Sequence, residues 1–275
     1  MNRAADLVAE GAALLRAAGV DGADRAAAWW VAEFTQNDQT ALDAATSEKI
    51  RAGFLRLAEH EPLQYVIGHA PFLDLSLRTD ARALAPRPET EELVTRVLAD
   101  RDFWAIPGRA VADVGTGTGC IAIALASKVP SAHIWAVDRS PDALALAREN
   151  AARTGTADRI TFVEGDLLAS FAPASLDLVV SNPPYIARPV IVTLDETVRR
   201  YEPAIALDGG PDGLDIIRRL VDQSFTVLKK RGRVWLEIGD EQGDAVRAIL
   251  SDAGFQQVTI HRDMYQHNRF AEAVT

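Results

Sequence analysis

The sequence predicts an α/β protein in which a mostly parallel, doubly wound sheet follows a small all-helical domain and a β-hairpin connector. Three observations carry this. From Arg109 onward short apolar strands alternate with amphipathic helical segments, the pattern of parallel βαβ units. A glycine-rich loop, Asp113-Val114-Gly115-Thr116-Gly117-Thr118-Gly119, closes the first of those strands. Before Phe72, by contrast, every readable pattern has helical spacing and no strand is expected.

At 275 residues, 48% of them hydrophobic, the chain can bury one large core and a satellite domain. Residues 1–70 are read as the satellite. Leu7, Leu14 and Leu15 mark one face of a helix that stops at Gly19, and residues 23–34 carry Trp29 and Trp30, both read as core, in a second. A third runs from a cap at Thr46 or Ser47 to His60, with Ile50, Phe54, Leu55 and Leu57 at helical spacing. Pro62 opens a short turn ended by Gly68. Residues 71–88 read as the hairpin connector, with Phe72, Leu75, Leu77 and Leu84 apolar, a turn at Thr79-Asp80, and Pro86-Arg87-Pro88 closing it.

Residues 89–275 form the third segment. It opens on a helix capped by Glu89 or Thr90, with Leu93, Val94, Val97 and Leu98 on one face and Glu91 and Glu92 near its positive end. Strands are expected over 110–114, 133–137, 160–163, 176–181 and 233–238, helices over 141–154 and 214–229, and a final antiparallel pair over 257–261 and 269–274.

Composition removes several function classes. The formal charge is −10, no basic run exceeds the triplet Lys229-Lys230-Arg231, the next being pairs such as Arg199-Arg200, and residues 1–79 hold 7 basic against 11 acidic side chains. No direct nucleic-acid binding is therefore expected. A single cysteine, Cys120, excludes an internal disulfide, and the five histidines lack metal-ligand spacing, so no metal site is expected. Neither a signal peptide nor a stretch long enough to span a membrane is legible, which points to the cytoplasm.

The glycine loop allows a sharp turn and close approach of a ligand. A dinucleotide fingerprint would need its third glycine where Cys120 stands; the pattern is Gly-x-Gly-x-Gly instead. Such a loop after an acid fits S-adenosylmethionine, whose cationic amino-acid end needs an anionic neighbour, supplied by Asp113 directly or through water. Gly115, Thr116, Gly117, Thr118 and Gly119 form the cradle. Asp138, about 20 residues beyond it at the end of the second strand, is placed to accept the ribose hydroxyls. Asp166 after the third strand can accept from the adenine amino group, with Leu167 against the base. Each acid alone reads equally as a cap or turn former. Three of them at strand C-termini beside one glycine loop point to a ligand. Cys120 reads as a small apolar residue at the following helix start.

The fourth strand runs Leu178-Val179-Val180-Ser181 into Asn182-Pro183-Pro184-Tyr185. The prolines supply no N–H, so the carbonyls of Asn182 and Pro183 stay available as acceptors in fixed directions. Asn182 adds an amide and Tyr185 a flat ring, a set that suits a planar NH2 group. Alone, the motif is as well explained as a tight strand exit.

Taken with the loop, the arrangement resembles class I, seven-stranded Rossmann-like S-adenosylmethionine-dependent methyltransferases that act on amino or amide nitrogen. More closely, the chain resembles the HemK-type (PrmC) family of peptide chain release factor glutamine methyltransferases. The residues that carry the resemblance span about 60–260: Pro62-Leu63-Gln64-Tyr65-Val66-Ile67-Gly68, Pro86-Arg87-Pro88-Glu89-Thr90-Glu91, Tyr201-Glu202-Pro203, Asp208-Gly209-Gly210-Pro211-Asp212-Gly213-Leu214 and Leu236-Glu237-Ile238. The family glycine between Met264 and Asn268 is absent. The resemblance implies methyl transfer to the side-chain amide nitrogen of the glutamine in a release factor's Gly-Gly-Gln loop, modulating translation termination. S-adenosylhomocysteine is then the product and release factors are the partners of a cytoplasmic monomer. Asn182, Pro183, Pro184 and Tyr185 would be catalytic and substrate-binding, with Asn182 also near the cofactor, and the segment from Pro86 to Glu91 would border the substrate cleft, with Arg87, Pro88 and Glu89 as substrate-binding residues. The helical residues 1–70 would hold the body of the release factor. The nearest rival is an N6-adenine nucleic-acid methyltransferase, which uses a similar turn on a flipped base.

Overall fold

The computed structural model describes residues 2–35, 37 and 40–275, and its residues cluster into two compact units. The first comprises residues 1–69 together with 195–201. Within it, a two-residue strand β1 (Asn2–Arg3) precedes α1 (Ala4–Ala17) and α2 (Ala23–Ala32), and pairs with β2 (Ala41–Leu42) ahead of α3 (Ala44–Ala58) and α4 (Leu63–Ile67). That β1–β2 pairing was not expected in an all-helical stretch; two residues per strand leave no alternation to read. Asp43, rather than Thr46 or Ser47, caps α3: its carboxylate accepts from the Thr46 backbone N–H at 2.7 Å. Gly68, in the left-handed region, ends α4.

Leu7, Leu15, Ile50, Phe54 and Leu57 fill the core of this unit. Of the two tryptophans expected there, Trp30 is buried and its indole N–H donates to the Ile50 carbonyl at 2.9 Å, whereas Trp29 is 38% exposed. The short helix of residues 196–201, met later in the chain, joins the same unit through the Tyr201 hydroxyl, which donates to the Glu59 carbonyl at 2.8 Å.

The second unit comprises residues 70–194 and 202–275. Its elements follow in order. Strands β3 (His69–Phe72, of which the unit takes the part from Ala70) and β4 (Leu75–Arg78) form a hairpin; then come α5 (Pro88–Ala99), α6 (Arg101–Trp104), β5 (Ala110–Val114), α7 (Cys120–Lys128), β6 (His133–Asp138) and α8 (Pro141–Arg153). They are followed by β7 (Ile160–Glu164), β8 (Leu176–Ser181), α9 (Arg188–Ile191), α10 (Glu196–Tyr201, in the first unit), α11 (Asp215–Val227), β9 (Leu228–Glu237), α12 (Gly243–Asp252), β10 (Gln256–Arg262) and β11 (Asn268–Val274). The seven-stranded sheet has the order β10-β11-β9-β8-β5-β6-β7, parallel from β9 to β7 and antiparallel at β11 and β10. Strand succession runs β5-β6-β7 one way and resumes at β8 on the other flank of β5. The switch point therefore lies between β5 and β8.

Two apolar layers hold the sheet. One face packs against α5 and α7 through residues such as Leu93, Ile123 and Leu125, with Phe72 and Leu77 of the hairpin; the other packs against α11 and α12 through Leu220, Val221, Val246 and Leu250. Helix α7 is apolar all round because it is buried on nearly every side. Asn150 of α8, fully buried, donates to the carbonyls of Arg78 and Thr118 and accepts from the Arg78 N–H, tying the hairpin's end to the glycine loop.

Three expectations need correction here. The hairpin turns at Leu73-Asp74, not at Thr79-Asp80; Leu73 takes φ 53, a left-handed conformation its side chain does not advertise. Helix α5 starts with Arg87 as cap residue and Pro88 in the first turn, leaving Glu89 and Thr90 inside the helix. Helices α6, α9, α10 and α12 were not anticipated. At the β10–β11 link Gln266 adopts the left-handed φ (70°) where the family glycine is missing, and the Asp263 carboxylate gathers the N–H groups of Tyr265 and His267.

Gly53 lies inside α3, where alanine would favour the helix by up to about 1 kcal/mol. A Cβ there would stand 2.3 Å from the Trp30 indole. Gly53→Ala is therefore expected to destabilise the protein, by roughly 1–3 kcal/mol for an overpacked core. Urea unfolding would measure it, and an unchanged or raised midpoint would contradict this packing account.

Candidate active site

The glycine loop leaves β5 with Gly115 and Gly117 at positive φ (72° and 55°), and the N–H groups of Gly115 and Thr116 donate to the Val137 carbonyl of the neighbouring strand. Gly119 caps α7; a Cβ there would meet Ile123 and Ala147 at 3.0–3.1 Å. The loop is thus pinned to β6 and pressed on α8. It forms one wall of a cavity of about 440 Å³, within the range of small-molecule sites.

Asp113 does not itself line the cavity. Its side chain is fully buried and absent from the cavity wall; one oxygen, Oδ2, accepts from Thr116 Oγ1 at 2.6 Å and from the Ala122 N–H at 3.0 Å. The other oxygen, Oδ1, has no partner. The acid braces the loop from behind. Asp138 does reach the cavity, accepting from the Gly117 and Ser140 N–H groups at 2.9 Å each, which leaves lone pairs on both oxygens for a ligand. Asp166 and Leu167 line it too. Asp166 is paired with Arg219, and Leu167 holds a left-handed φ of 56°, strain of the kind that collects at functional sites. Thr116, Thr118 and Cys120 also line the cavity, Cys120 buried as a small apolar residue whose thiol is pushed up to about 12 by burial.

The turn after β8 stands across the switch point. Ser181 Oγ donates to the Val114 carbonyl at 2.6 Å, locking the ends of β8 and β5 together, and a Cβ on Gly115 would come within 3.9 Å of the Asn182 carbonyl. Asn182 and Pro184 line the cavity; Pro183 is buried, and neither it nor Tyr185 is part of the cavity wall. The Tyr185 hydroxyl donates to Glu237 Oε1 at 3.3 Å, and its carbonyl accepts from Gln242 Nε2 at 2.9 Å. Gly213 is required close by, since a Cβ there would fall 2.4 Å from the Tyr185 carbonyl.

From α5, Arg87 reaches the cavity while Pro88 and Glu89 do not. The Arg87 guanidinium donates to Glu202 at 2.6 Å; Glu202 is buried, its second oxygen has no partner, and burial raises its pKa against the pull of Arg87. Sequence reasoning places Thr90 only within the residues 86–91 that border the cleft and misses Glu237. Thr90, taken for a cap, is buried and lines the cavity; it accepts from Asn182 Nδ2 at 3.0 Å and donates to Glu237 Oε2 at 2.8 Å. Glu237 is 2% exposed, and burial raises its pKa to about 7. An acid in the apolar run Leu236-Glu237-Ile238 was the available signal.

Comparison with known proteins agrees with this geometry. The family described as Methyltransferase small domain matches residues 90–196, and PrmC N-terminal domain matches residues 6–68. The release factor glutamine methyltransferase of Lactococcus lactis is 41% identical over 215 residues, covering 78% of this chain and 77% of that protein. The protein of the same name from Cereibacter sphaeroides is 37% identical and covers 98% of both chains. A methyltransferase structure from Pyrococcus furiosus aligns with a TM-score of 0.52 at 16% identity, over 74% of this chain and 89% of that one, a likeness of fold alone.

Burial holds Asp113, like Glu237, at a pKa of about 7, above the ordinary carboxylate range near 4. Between those values the folded chain binds more protons than the unfolded one, so these two groups make stability fall as pH rises from about 4 to 7 and level off above. Asp113→Asn keeps an acceptor for Thr116 and Ala122 and cannot ionise. Urea titrations at pH 5 and 8 should show a smaller loss of stability in this variant than in the parent; equal losses would contradict the assignment.

Proposed function

The chain belongs to the release factor glutamine methyltransferase family, and we infer that it transfers a methyl group from S-adenosylmethionine to the side-chain amide nitrogen (N5) of a release-factor glutamine. The glutamine is that of the Gly-Gly-Gln loop, and its methylation modulates translation termination. The observation that carries this reading is that Asn182 and Pro184 of the Asn-Pro-Pro-Tyr turn line one cavity together with the glycine loop, the Asn182 carbonyl lying close to Gly115.

The cavity residues fit the cofactor. Gly115 and Gly117 leave room at the wall, Asp138 offers lone pairs to ribose hydroxyls, and Asp166 with Leu167 would take the adenine. Ala83 and Ala143 add apolar surface. A bound S-adenosylmethionine would supply an electrophilic methyl on a sulfonium sulfur: the S–CH3 bond breaks as the N–CH3 bond forms, S-adenosylhomocysteine leaves, and the amide nitrogen sheds one proton to water. The chain's own task concerns the acceptor. An amide nitrogen is a poor nucleophile because its lone pair is delocalised into the carbonyl. Asn182 Oδ1 and the backbone carbonyl of Pro183 would hold its N–H groups, orient it, and favour the pyramidal nitrogen of the transition state. Arg87, braced by Glu202, lies at the same cleft and would meet the substrate backbone.

Residues 1–70 would grip the body of the release factor, residues 71–88 connect, and residues 89–275 carry out transfer. The enzyme would act as a cytoplasmic monomer without binding nucleic acid directly. Among the described residues no helix is long and apolar enough to cross a membrane.

Mass spectrometry of a purified release factor incubated with the protein and methyl-labelled cofactor tests the activity; label on its Gly-Gly-Gln glutamine is expected, and an unlabelled factor would reject the reading. Asn182→Ala should lower kcat by about 100-fold or more, on the scale of losing one preorganised group, with cofactor affinity within several-fold of the parent. Calorimetry should show weakened S-adenosylmethionine binding by Gly117→Val and by Asp138→Ala; parental affinity in both would move the cofactor elsewhere.

A further inference from the structure

We infer that Thr90 and Glu237 are positioning residues which set the rotational sense of the Asn182 amide, an assignment that rests on the methyl-transfer reading above. Three side chains from three elements form one directed chain. Glu237, at the end of β9, is the terminus: as a carboxylate it can only accept, and it accepts from Thr90 Oγ1 at 2.8 Å and from Tyr185 Oη at 3.3 Å. A hydroxyl has one proton. That of Thr90 is spent on Glu237, so Thr90 Oγ1 can present only a lone pair to Asn182 at 3.0 Å. Asn182 must therefore turn Nδ2 toward Thr90, and its Oδ1 is left for an N–H donor in the cavity that Asn182 lines.

The opposite rotamer of the amide would aim two donors at the methyl acceptor, whose own N–H groups are donors. That arrangement repels the substrate nitrogen rather than holding it. The chain thus supplies a choice the turn alone does not make, since the prolines fix the backbone and leave the Asn182 amide free to rotate by half a turn. Tyr185 closes the other end: through Glu237 both ends of the motif answer to one buried acid.

The test is a pair of substitutions at one site that separates hydrogen bonding from packing. Thr90→Val keeps the shape and removes the hydroxyl; Thr90→Ser keeps the hydroxyl and removes a methyl group from a buried position. Kinetics are measured on the full chain with a purified release factor at pH 8, where Glu237 is ionised, alongside calorimetry with S-adenosylmethionine and thermal unfolding. Positioning predicts that Thr90→Val loses about 10-fold or more in kcat with cofactor affinity within about twofold, while Thr90→Ser recovers at least about a third of the parental kcat despite a lower melting temperature. A packing role predicts the reverse order, Thr90→Val near the parent and Thr90→Ser impaired, and that result overturns the inference. If Thr90→Val retains the parental kcat while Asn182→Ala is inactive, the positioning assignment fails and the function stands. A parent that leaves the release factor unmodified removes the function and the assignment together.

Discussion

One buried carboxylate organises the site. Glu237 sits at the end of β9 with almost no access to water, and it accepts hydrogen bonds from α5 and from the turn after β8. Stability does not explain it. Each bond to a charged acceptor returns roughly 1.5–3 kcal/mol, while taking the charge out of water costs several. The two terms roughly cancel, and burial shows its pressure in a pKa raised to about 7. What the acid provides when ionised is direction: a carboxylate can only accept, which forces the hydrogens of Thr90, Tyr185 and Asn182 to point one way.

That direction matters because of where the sheet puts it. The succession of strands reverses between β5 and β8, so the loop after one and the turn after the other open into the same crevice. Ser181 fastens the two strand ends, Asp113 stiffens the glycine loop from beneath, and Asn150 anchors the loop to the hairpin. None of these three touches the space a ligand would fill, yet each holds a group that does. Buried polar side chains that hold cavity residues from behind are what preorganisation requires.

Local signals were legible in the sequence and long-range ones were not. The glycine loop announced itself because positive φ and close approach demand glycine, and β5 and β8 because buried parallel strands read as largely apolar runs, each here interrupted by one acid. Asn182 and Pro184 at the cavity, with Asp138, Asp166 and Leu167 opposite, lie where strand ends had placed them. Asp113 lies behind the loop and off the cavity wall because an acid before a glycine loop has two faces to choose from, and packing decides which. Thr90 was taken for a cap since Pro88 had not been recognised as the first helical residue, and its partner Glu237 is 147 positions away. The hairpin turn was displaced because Leu73, not a glycine or asparagine, takes the left-handed conformation. Such pairings become visible only when the chain is folded.

The most direct check of this account is a crystal structure of the full chain with S-adenosylhomocysteine and a glutamine-containing release-factor peptide. The account predicts the glutamine amide nitrogen within about 3.2 Å of Asn182 Oδ1 and of the Pro183 carbonyl, with Asn182 Nδ2 still on Thr90. A glutamine amide lodged away from both acceptors, or an Asn182 amide turned so that its nitrogen faces the substrate, would contradict it.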